Sequence, residues 1–426
     1  MVEPNEEEEE LSSLFKSGIY RLEPNSNIIF IDSVRLLNRS YSRFSVSPSQ
    51  YYSRFFELDR NEEKTRVSSN STKSNRRKRK FHELNEREQS ADQRHKEARP
   101  LLLRAHEALL EAKDLLSFLY NLRKSCCSSI QTQSSVPSFI DLGSVWQAPM
   151  YEISMHFHSK SLLPNATGGS DLLQCDEQKL VPIFNNLVIN DTRDDAEATF
   201  LDNSYIIPRD SCFHMSNLEQ IHNLIPGNPN NGYNLIVIDP PWENGSARQK
   251  SVYPTLPNRY FLSLPVKQLT HSEGALVGLW ITNREKLRLF VEKELFPAWG
   301  VSYKTLIYWL KVKVDGSLIS ELDVFHHRPY ECLLLGYSHG FLEGMDSEQL
   351  STSSCLPENQ VIISVPGDYS RKPPIGELLL NYAPGPRPAR CVELFARELL
   401  AGWTSWGNEP LHFQESKYFE SKRTDE

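Results

Sequence analysis

The amino-acid sequence predicts an α/β fold in which an open, largely parallel sheet occupies the second half of the chain. The first observation is a set of short, almost continuous apolar runs, the pattern of strands buried on both faces. These runs cover residues 233–239, 274–282, 304–312, 330–337, 360–366 and 390–396. The second observation is the helical pattern of residues 283–300 and 372–385, which lie between strands. In such a sheet, ligands bind at the carboxyl ends of the strands.

Composition and pattern divide the chain into five segments. Residues 1–63 are expected to form a small β-rich subdomain with a strand over 27–37. A basic and polar linker follows over 64–99, with an exposed helix as the alternative. A mixed α+β region covers 100–205, and it starts with an amphipathic helix that begins at Pro100. This helix either packs on the fold or docks a partner. The sheet domain covers 206–413, and a charged tail covers 414–426.

Charge is unevenly distributed along the chain. The formal net charge is −8, which by itself does not favour nucleic-acid binding. Local patches decide contact with phosphates, however, and residues 73–80 form a dense basic tract. We interpret the tract as a nuclear import signal, with a nucleic-acid contact or a solvated linker as alternatives. The expected location is therefore the nucleus, with the cytoplasm as a second compartment.

Several other classes of protein are disfavoured. No apolar run is long enough to span a membrane, and the acidic start does not resemble a secretory signal. The 7 cysteines show no zinc-ligand spacing, which indicates free thiols in a reducing compartment and no metal site. No feature indicates an obligate protein partner.

The tetrad Asp239-Pro240-Pro241-Trp242 comes at the carboxyl end of an apolar run. A carboxylate and a backbone carbonyl accept hydrogen bonds, two prolines stiffen the loop, and a tryptophan offers a flat surface to a base. Such an array suits an aromatic amine, whose delocalised lone pair must be aimed at its reaction partner. The alternative is that Asp-Pro-Pro merely ends a strand. The strand before it and the tryptophan after it favour the catalytic interpretation.

The tetrad belongs to an ordered set of segments: VIDPPWENGS, LWITNRE, YWLKVKVDG, HHRPYECLLLGY, SRKPPIGELLLNY and VELFARELLAGWTSWGNE. In this set the chain resembles the DPPW family of adenine-N6 methyltransferases, over residues 206–410. The resemblance implies a Rossmann-like methyltransferase domain in the permuted, β-class order, with the catalytic motif before the cofactor strand. It also implies S-adenosyl-L-methionine as the cofactor.

The resemblance further implies roles for individual positions. Asp239 contacts the methionine amine and holds the target amine, and Lys372 lies near both cofactor and substrate. Glu393 and Arg397 make the ribose and carboxylate contacts, and Asn408 binds adenine. The remaining implied cofactor contacts are Glu409, Cys212, Phe213 and His214.

The chain departs from the family pattern near the cofactor. Glu409 stands where members often carry glutamine, Ala396 stands where the glycine of ELFGR is usual, and no His-Asn pair follows Arg397. These differences concern contacts and not the class. A G-x-G-x-x-G motif is absent, which argues against a standard dinucleotide enzyme.

Candidate substrate residues follow the tetrad and the later strands. Beside Trp242 and Lys372, the cations Arg248, Lys250 and Arg259 either pair with substrate phosphates or are ordinary surface charges. Tyr253 and Tyr330 either flank the target base or pack in the core. The polar loop over 311–330 contains two adjacent histidines, which we interpret as substrate or structural residues and not as metal ligands.

The predicted function is N6-methylation of adenine in RNA. Similarity to one subfamily narrows the expected target to 2′-O-methyladenosine in U2 small nuclear RNA, with DNA adenine as an alternative substrate. A catalytically inactive nucleic-acid-binding scaffold is a second alternative, against which the intact tetrad, Lys372 and Asn408 argue. Methylation of a small molecule or a protein is a third.

Overall fold

The computed structural model describes residues 6–23, 27–53, 86–125, 138–164, 170–243, 255–324, 327–338, 356–368 and 371–422. The basic tract at 73–80 and the predicted substrate residues Arg248, Lys250 and Tyr253 lie outside these ranges. Within them, no helix is both long enough and apolar enough to cross a bilayer.

The chain alternates helices and strands. The helices are α1 (Glu6–Ser17), α2 (Ser33–Asn38), α3 (Pro48–Tyr51), α4 (Glu86–Glu111), α5 (Lys113–Ser125), α6 (Phe139–Ser144), α7 (Val266–Leu269), α8 (Glu285–Phe290), α9 (Phe296–Trp299) and α10 (Gly376–Leu380). The strands are β1 (Ile19–Arg21), β2 (Ile28–Ile31), β3 (Phe44–Val46), β4 (Glu152–Pro164), β5 (Ser170–Pro182), β6 (Leu187–Asn190), β7 (Ala196–Phe200), β8 (Asn203–Ile207), β9 (Ser211–Met215), β10 (Leu235–Ile238), β11 (Leu276–Ile281), β12 (Val301–Lys311), β13 (Tyr330–Ser338), β14 (Gln360–Ser364), β15 (Cys391–Leu394), β16 (Trp403–Gly407) and β17 (Phe419–Ser421).

The central sheet confirms the predicted α/β class. It has 11 strands in the order β1-β2-β14-β12-β13-β11-β10-β15-β16-β9-β6. Strands β11, β10, β15, β16 and β9 are mutually parallel, and β13 runs antiparallel to both of its neighbours. The six apolar runs recognised in the sequence all contain strands of this sheet.

Apolar side chains cover both faces of the sheet. Along β10, Ile236 and Ile238 face one apolar cluster, and Leu235 and Val237 face another, as the alternation of a strand requires. The first cluster also contains residues of α1, α4 and α5, and the second contains residues of α2 and α10. Helices on both faces explain why these strands read as continuous apolar runs.

Two predictions in the N-terminal half name the right element but the wrong bounds. The strand expected over 27–37 ends at Ile31, because the side chain of Asp32 caps α2 by accepting hydrogen bonds from Val34 N and Arg35 N. The helix expected to begin at Pro100 instead begins at Glu86, with the proline inside it. A buried stripe of α4 continues through the proline, so tertiary packing outweighs the local cost. The stripe consists of His95, Ala98, Leu102, Ala105 and Leu109.

Strands from different predicted segments belong to the same sheet, so the segments are not separate domains. Strands β1 and β2 form one edge of the central sheet, and β6 and β9 form the other. The expected tail also joins the fold, since β17 pairs with β3. A second sheet of 4 strands, β5-β4-β7-β8, stands beside the first.

The two predicted helices of the sheet domain differ in outcome. The helix predicted over 283–300 is present from Glu285 to Trp299, through α8, a π-helical turn at Val291–Leu295 and α9. Gly300 ends it with φ 68°. Residues 372–385 form only the short helix α10. The segment before α10 has no regular secondary structure, and its Lys372 contacts Asp239 at the end of β10.

Candidate active site

Five parallel strands end at the same edge of the sheet, and the residue after each one lines a single cavity of about 810 Å³. The five residues are Ser216, Asp239, Thr282, Phe395 and Asn408. The volume lies in the range of small-molecule sites, roughly 300–1,000 Å³. The cavity is therefore large enough for a cofactor at one end and a base at the other.

The loop after β10, residues 239–243, is the predicted catalytic loop, and backbone and indole hydrogen bonds hold it in place. The Pro240 carbonyl accepts from Trp242 N at 2.8 Å, and the Pro241 carbonyl accepts from Leu256 N at 3.0 Å. The Trp242 indole N–H donates to the Trp280 carbonyl at 2.8 Å. The predicted free carbonyl of Pro240 is thus already bonded once, although a carbonyl oxygen has two lone pairs. Trp242 lines the cavity but is only 6% exposed, which leaves little of its ring for a stacked base.

Asp239 and Lys372, each of which the family resemblance places near cofactor and substrate, are in contact. The Lys372 Nζ atom lies 3.0 Å from Asp239 Oδ1 and 3.2 Å from Asp239 Oδ2, and 5.8 Å from the centroid of the Trp280 ring. Both side chains are largely buried, at 12% and 18% exposed. The pair fixes the carboxylate at the carboxyl end of β10.

Sequence reasoning missed two charged residues that complete this cluster. Glu331 Oε2 lies 3.4 Å from Lys372 Nζ, and its Oε1 atom bonds to Lys311 Nζ. The two acids and two lysines balance in charge, which offsets the cost of burying them. The signal in the sequence was a lone glutamate in the apolar run of β13, and a lysine ending the run of β12. We name Asp239, Lys372, Glu331 and Lys311 the charge cluster.

Burial and the attraction between opposite charges shift the pKa values of the charge cluster in opposite directions. Burial raises the pKa of Asp239, against the opposing effect of Lys372. Burial alone would raise the pKa of Glu331 too, but the two lysines bring it to about 2. Burial lowers the pKa of Lys311, whereas the carboxylates of Asp239 and Glu331 outweigh burial and raise the pKa of Lys372. Asp239 is therefore the more basic of the two carboxylates.

Glu393 and Arg397 meet the charge cluster in a smaller cavity of about 50 Å³, which adjoins the main one. Glu393 lies on β15 beside Val237 of β10. Burial, and then the nearby Asp239, raise the pKa of Glu393 to about 8. Arg397 lines both cavities, and its guanidinium lies 5.2 Å from the centroid of Phe413. A carboxyl at a strand end can bond ribose hydroxyls, so the predicted cofactor roles have suitable chemistry here.

Backbone geometry at the ends of β15 and β16 positions the residues that line the predicted cofactor side of the cavity. Phe395 has φ 64°, a strained value for a bulky residue, and its ring packs edge-on against Phe261 and Trp406. At Gly407 a Cβ would lie 2.8 Å from the Ala396 carbonyl, so the two strand ends approach too closely for a side chain. This approach places Asn408 at the cavity.

The predicted adenine-side contacts are partly corrected. Asn408 and Glu409 line the cavity, and Glu409 lies 3.1 Å from His412 Nδ1. Cys212, Phe213 and His214 do not line it: they lie inside β9, and the cysteine bonds to Thr404 of β16. The lining instead comes from the residues that follow, because only the carboxyl end of a strand opens onto the site. These are Met215, Ser216, Asn217, Leu218 and Glu219.

The N-terminal half also contributes to the cavity, which sequence reasoning did not anticipate. Phe139, Ile140 and Gly143 of α6 and Phe184 before β6 line it. A Cβ on Gly143 would lie 3.1 Å from the Phe184 ring, so the helix packs closely on that ring. Helix α6 covers the cavity beside the end of β9.

Two predicted substrate residues do not line the cavity. Tyr330 is 4% exposed, and its hydroxyl lies 3.0 Å from His95 Nδ1 of α4. Alternation along β13 turns its neighbour Glu331 to the cavity and Tyr330 away from it, so the packing alternative is correct. Arg259 is an exposed cation, 3.4 Å from Glu294. In the described part of the chain, no group of three or more potential ligands could hold a metal ion.

A permuted α/β sheet with this cavity at its carboxyl edge is the architecture of a Rossmann-like methyltransferase. Residues 233–409 match the family described as MT-A70. A Mus musculus protein named N(6)-adenine-specific methyltransferase METTL4 is 31% identical over 341 residues, which is 79% of this chain and 69% of the relative. The chain belongs to the MT-A70 family of N6-adenine methyltransferases, and its cofactor is S-adenosyl-L-methionine.

Two further relatives bear different names. A Pyricularia oryzae protein named N6-methyladenosine RNA methyltransferase MTA1 is 33% identical over 223 residues, 50% of this chain and 55% of the relative. A Caenorhabditis elegans protein named DNA N6-methyl methyltransferase is 32% identical over 228 residues, again 50% of this chain and 55% of the relative. The cavity fits the shared cofactor, because carboxylates at the Asp239 end suit its ammonium and the Asn408 amide suits its adenine ring.

Proposed function

We propose that this chain methylates the N6 amine of adenine in RNA. The observation that carries the proposal is the contact between Asp239 and Lys372 at the carboxyl end of β10, inside a cavity large enough for cofactor and base together. The pair holds an acceptor where a base amine can approach. The Asn408 end of the same cavity is left for the cofactor.

The residues of the charge cluster supply the positioning. The cofactor provides a methyl group on a sulfonium. Asp239 accepts one N–H of the target amine, and the second lone pair of the Pro240 carbonyl accepts the other, which aims the nitrogen lone pair at the methyl carbon. Lys372 keeps the carboxylate in place, and Glu331 offsets the lysine's charge, which would otherwise repel the sulfonium. Transfer to the nitrogen lone pair would break the methyl–sulfur bond, whose electron pair stays on sulfur, and Asp239 would then accept the extra proton of the methylated nitrogen.

The names of the relatives support both RNA and DNA as substrates. The Pyricularia relative is named for RNA and the nematode relative for DNA, at similar identity. We propose RNA first, and DNA adenine as the second candidate. In either polymer the target base must leave its stack to reach Asp239, so unpaired sites are the expected substrates.

The finer proposal is 2′-O-methyladenosine in U2 small nuclear RNA, methylated in the nucleus. Its support is the resemblance of the ordered segments to one subfamily, and the basic tract at 73–80 as an import signal. Fluorescent tagging of the chain, with and without substitution of that tract by alanines, tests the location. Unchanged nuclear accumulation without the tract contradicts the import role.

One assay tests the substrate proposals together. Purified protein is incubated with methyl-labelled cofactor and with four matched oligonucleotides: RNA and DNA of the U2 sequence, each with either its ordinary adenine nucleotide or a 2′-O-methyladenosine at the target position. Label on N6 of the modified RNA, well above the others, is the expected result. Equal or greater transfer to DNA favours the second candidate. Tight cofactor binding without transfer to any of the four contradicts both.

A further inference from the structure

Tyr260 lies on the 3₁₀ helix Asn258–Ser263 and lines the main cavity, yet it is 56% exposed. Trp242, on the same wall, is 6% exposed, with its indole N–H already bonded to Trp280. Of these two aromatic rings, therefore, only Tyr260 offers a broad open surface. An exposed side chain that also lines a cavity stands at its mouth, whereas the target amine must reach Asp239 inside.

Three contacts hold the Tyr260 segment against the catalytic loop. Leu256 N donates to the Pro241 carbonyl at 3.0 Å, and Glu243 N donates to Asn258 Oδ1 at 3.1 Å. The ring of Phe261 packs edge-on against Trp242, with 5.0 Å between the centroids. The position of Tyr260 is thus fixed relative to the reacting end of the cavity, and a base stacked on it has a defined distance from the target.

Positive charge flanks the same segment. Arg259 is 75% exposed, and its partner Glu294, at 3.4 Å, is 47% exposed. Arg284 is exposed, and its Nη1 atom donates to the Glu243 carbonyl beside the catalytic tetrad at 3.2 Å. Exposed ion pairs contribute little to stability, so Arg259 can exchange its carboxylate for a phosphate at small cost. An exposed aromatic side chain with exposed arginines on and beside its segment is the combination that binds single-stranded nucleic acid.

We propose that Tyr260 is the platform on which the nucleobase next to the target adenine stacks. The proposal rests on the proposed function, since it takes single-stranded nucleic acid as the substrate. It assigns Tyr260 to substrate binding and not to methyl transfer. Stacking needs the ring and not the hydroxyl, so phenylalanine and tryptophan can replace tyrosine, and alanine cannot.

The test measures methylation of a short single-stranded RNA with one 2′-O-methyladenosine. Tyr260→Ala is expected to raise the KM for the RNA about tenfold, with kcat and cofactor affinity unchanged. Tyr260→Phe and Tyr260→Trp keep the wild-type KM or lower it. The control is Tyr120→Ala on α5, an exposed tyrosine that is not part of the cavity lining, and it leaves the KM unchanged.

A second arm identifies the base that stacks. The RNA carries an abasic site immediately before or immediately after the target. At one of these positions, the abasic RNA raises the KM of the wild type to the value that Tyr260→Ala shows with intact RNA. The same abasic RNA does not raise the KM of Tyr260→Ala any further, because the two changes remove the same contact. An unchanged KM in Tyr260→Ala, or an equal loss in Tyr260→Phe, overturns the stacking role while methylation by the wild type upholds the proposed function. No methylation of any oligonucleotide by the wild type contradicts both.

Discussion

The ammonium of Lys372 lies 3.4 Å from the Glu331 carboxylate, although neither the tetrad nor its spacing signals such a contact. The same ammonium binds Asp239, and Glu331 also binds Lys311, so each charge in the cluster depends on the others. Glu331 itself lines the cavity, next to Lys372 at the reacting end. Glu331 acts on the reaction by positioning Lys372.

Glu331→Gln tests that positioning. The change leaves two largely buried lysines with one carboxylate, and an uncompensated buried charge costs about 3 kcal/mol of unfolding free energy. We expect urea denaturation to show this loss, together with a fall in kcat of at least about tenfold. Adding Lys311→Met restores the charge balance and the stability, but not kcat. Wild-type stability in the single variant would show that the cluster is solvated.

Asn408→Ala and Cys212→Ser form a matched pair for the cofactor end. The amide of Asn408 lines the cavity, so its removal is expected to weaken cofactor binding about tenfold. Cys212 lies inside β9 against Thr404, so its replacement by serine leaves the Kd unchanged. Calorimetric titration with S-adenosyl-L-methionine measures both. A larger loss of cofactor affinity in Cys212→Ser than in Asn408→Ala would show that residues 212–214 contact the cofactor.

Tyr330→Phe tests the position of the tyrosine away from the cavity. The variant loses the hydrogen bond to His95, at a cost of about 1 kcal/mol in unfolding free energy. Turnover is expected to stay at the wild-type level, because the hydroxyl contacts α4 and not the cavity. A large loss of kcat at unchanged stability would instead assign the tyrosine to the substrate.

Glu393 predicts a specific pH dependence of stability. Its pKa rises from an ordinary 4.5 to about 8 on folding, chiefly by burial. The folded protein thus keeps a proton that the unfolded chain releases, so the stabilising contribution of Glu393 is complete below pH 4.5 and declines as the pH rises to about 8. Glu393→Gln flattens this decline in denaturation curves taken across the window, whereas the exposed control Glu358→Gln does not. Parallel pH profiles for wild type and Glu393→Gln would refute the shift.

The sequence was sufficient for the sheet and for the centre of the site. Strands buried on both faces leave apolar runs, and the tetrad after one of them located Asp239 at the cavity. Lys372 was assigned through the family resemblance, and the structure places it 3.0 Å from Asp239. These patterns lie within short stretches of sequence, so they can be recognised without knowledge of the fold.

The remaining site residues depend on the pairing of distant segments. Tyr330 and Glu331 are adjacent in sequence, and only the orientation of β13 decides which of them faces the cavity. The contribution of α6 likewise arises from packing between the N-terminal half and the sheet. Pro100 suggested the start of a helix, but the helix begins at Glu86 and continues through the proline, because residues on both sides of it are buried.

The central claim is that the Asp239 carboxylate holds the target amine for methyl transfer. Its most direct test is single-turnover methylation of the modified RNA by Asp239→Asn, with cofactor and RNA both saturating. The substitution preserves size but removes the charge that pairs with Lys372, and transfer is predicted to slow about a thousandfold in a protein that remains folded. A single-turnover rate equal to that of the wild type would contradict the claim.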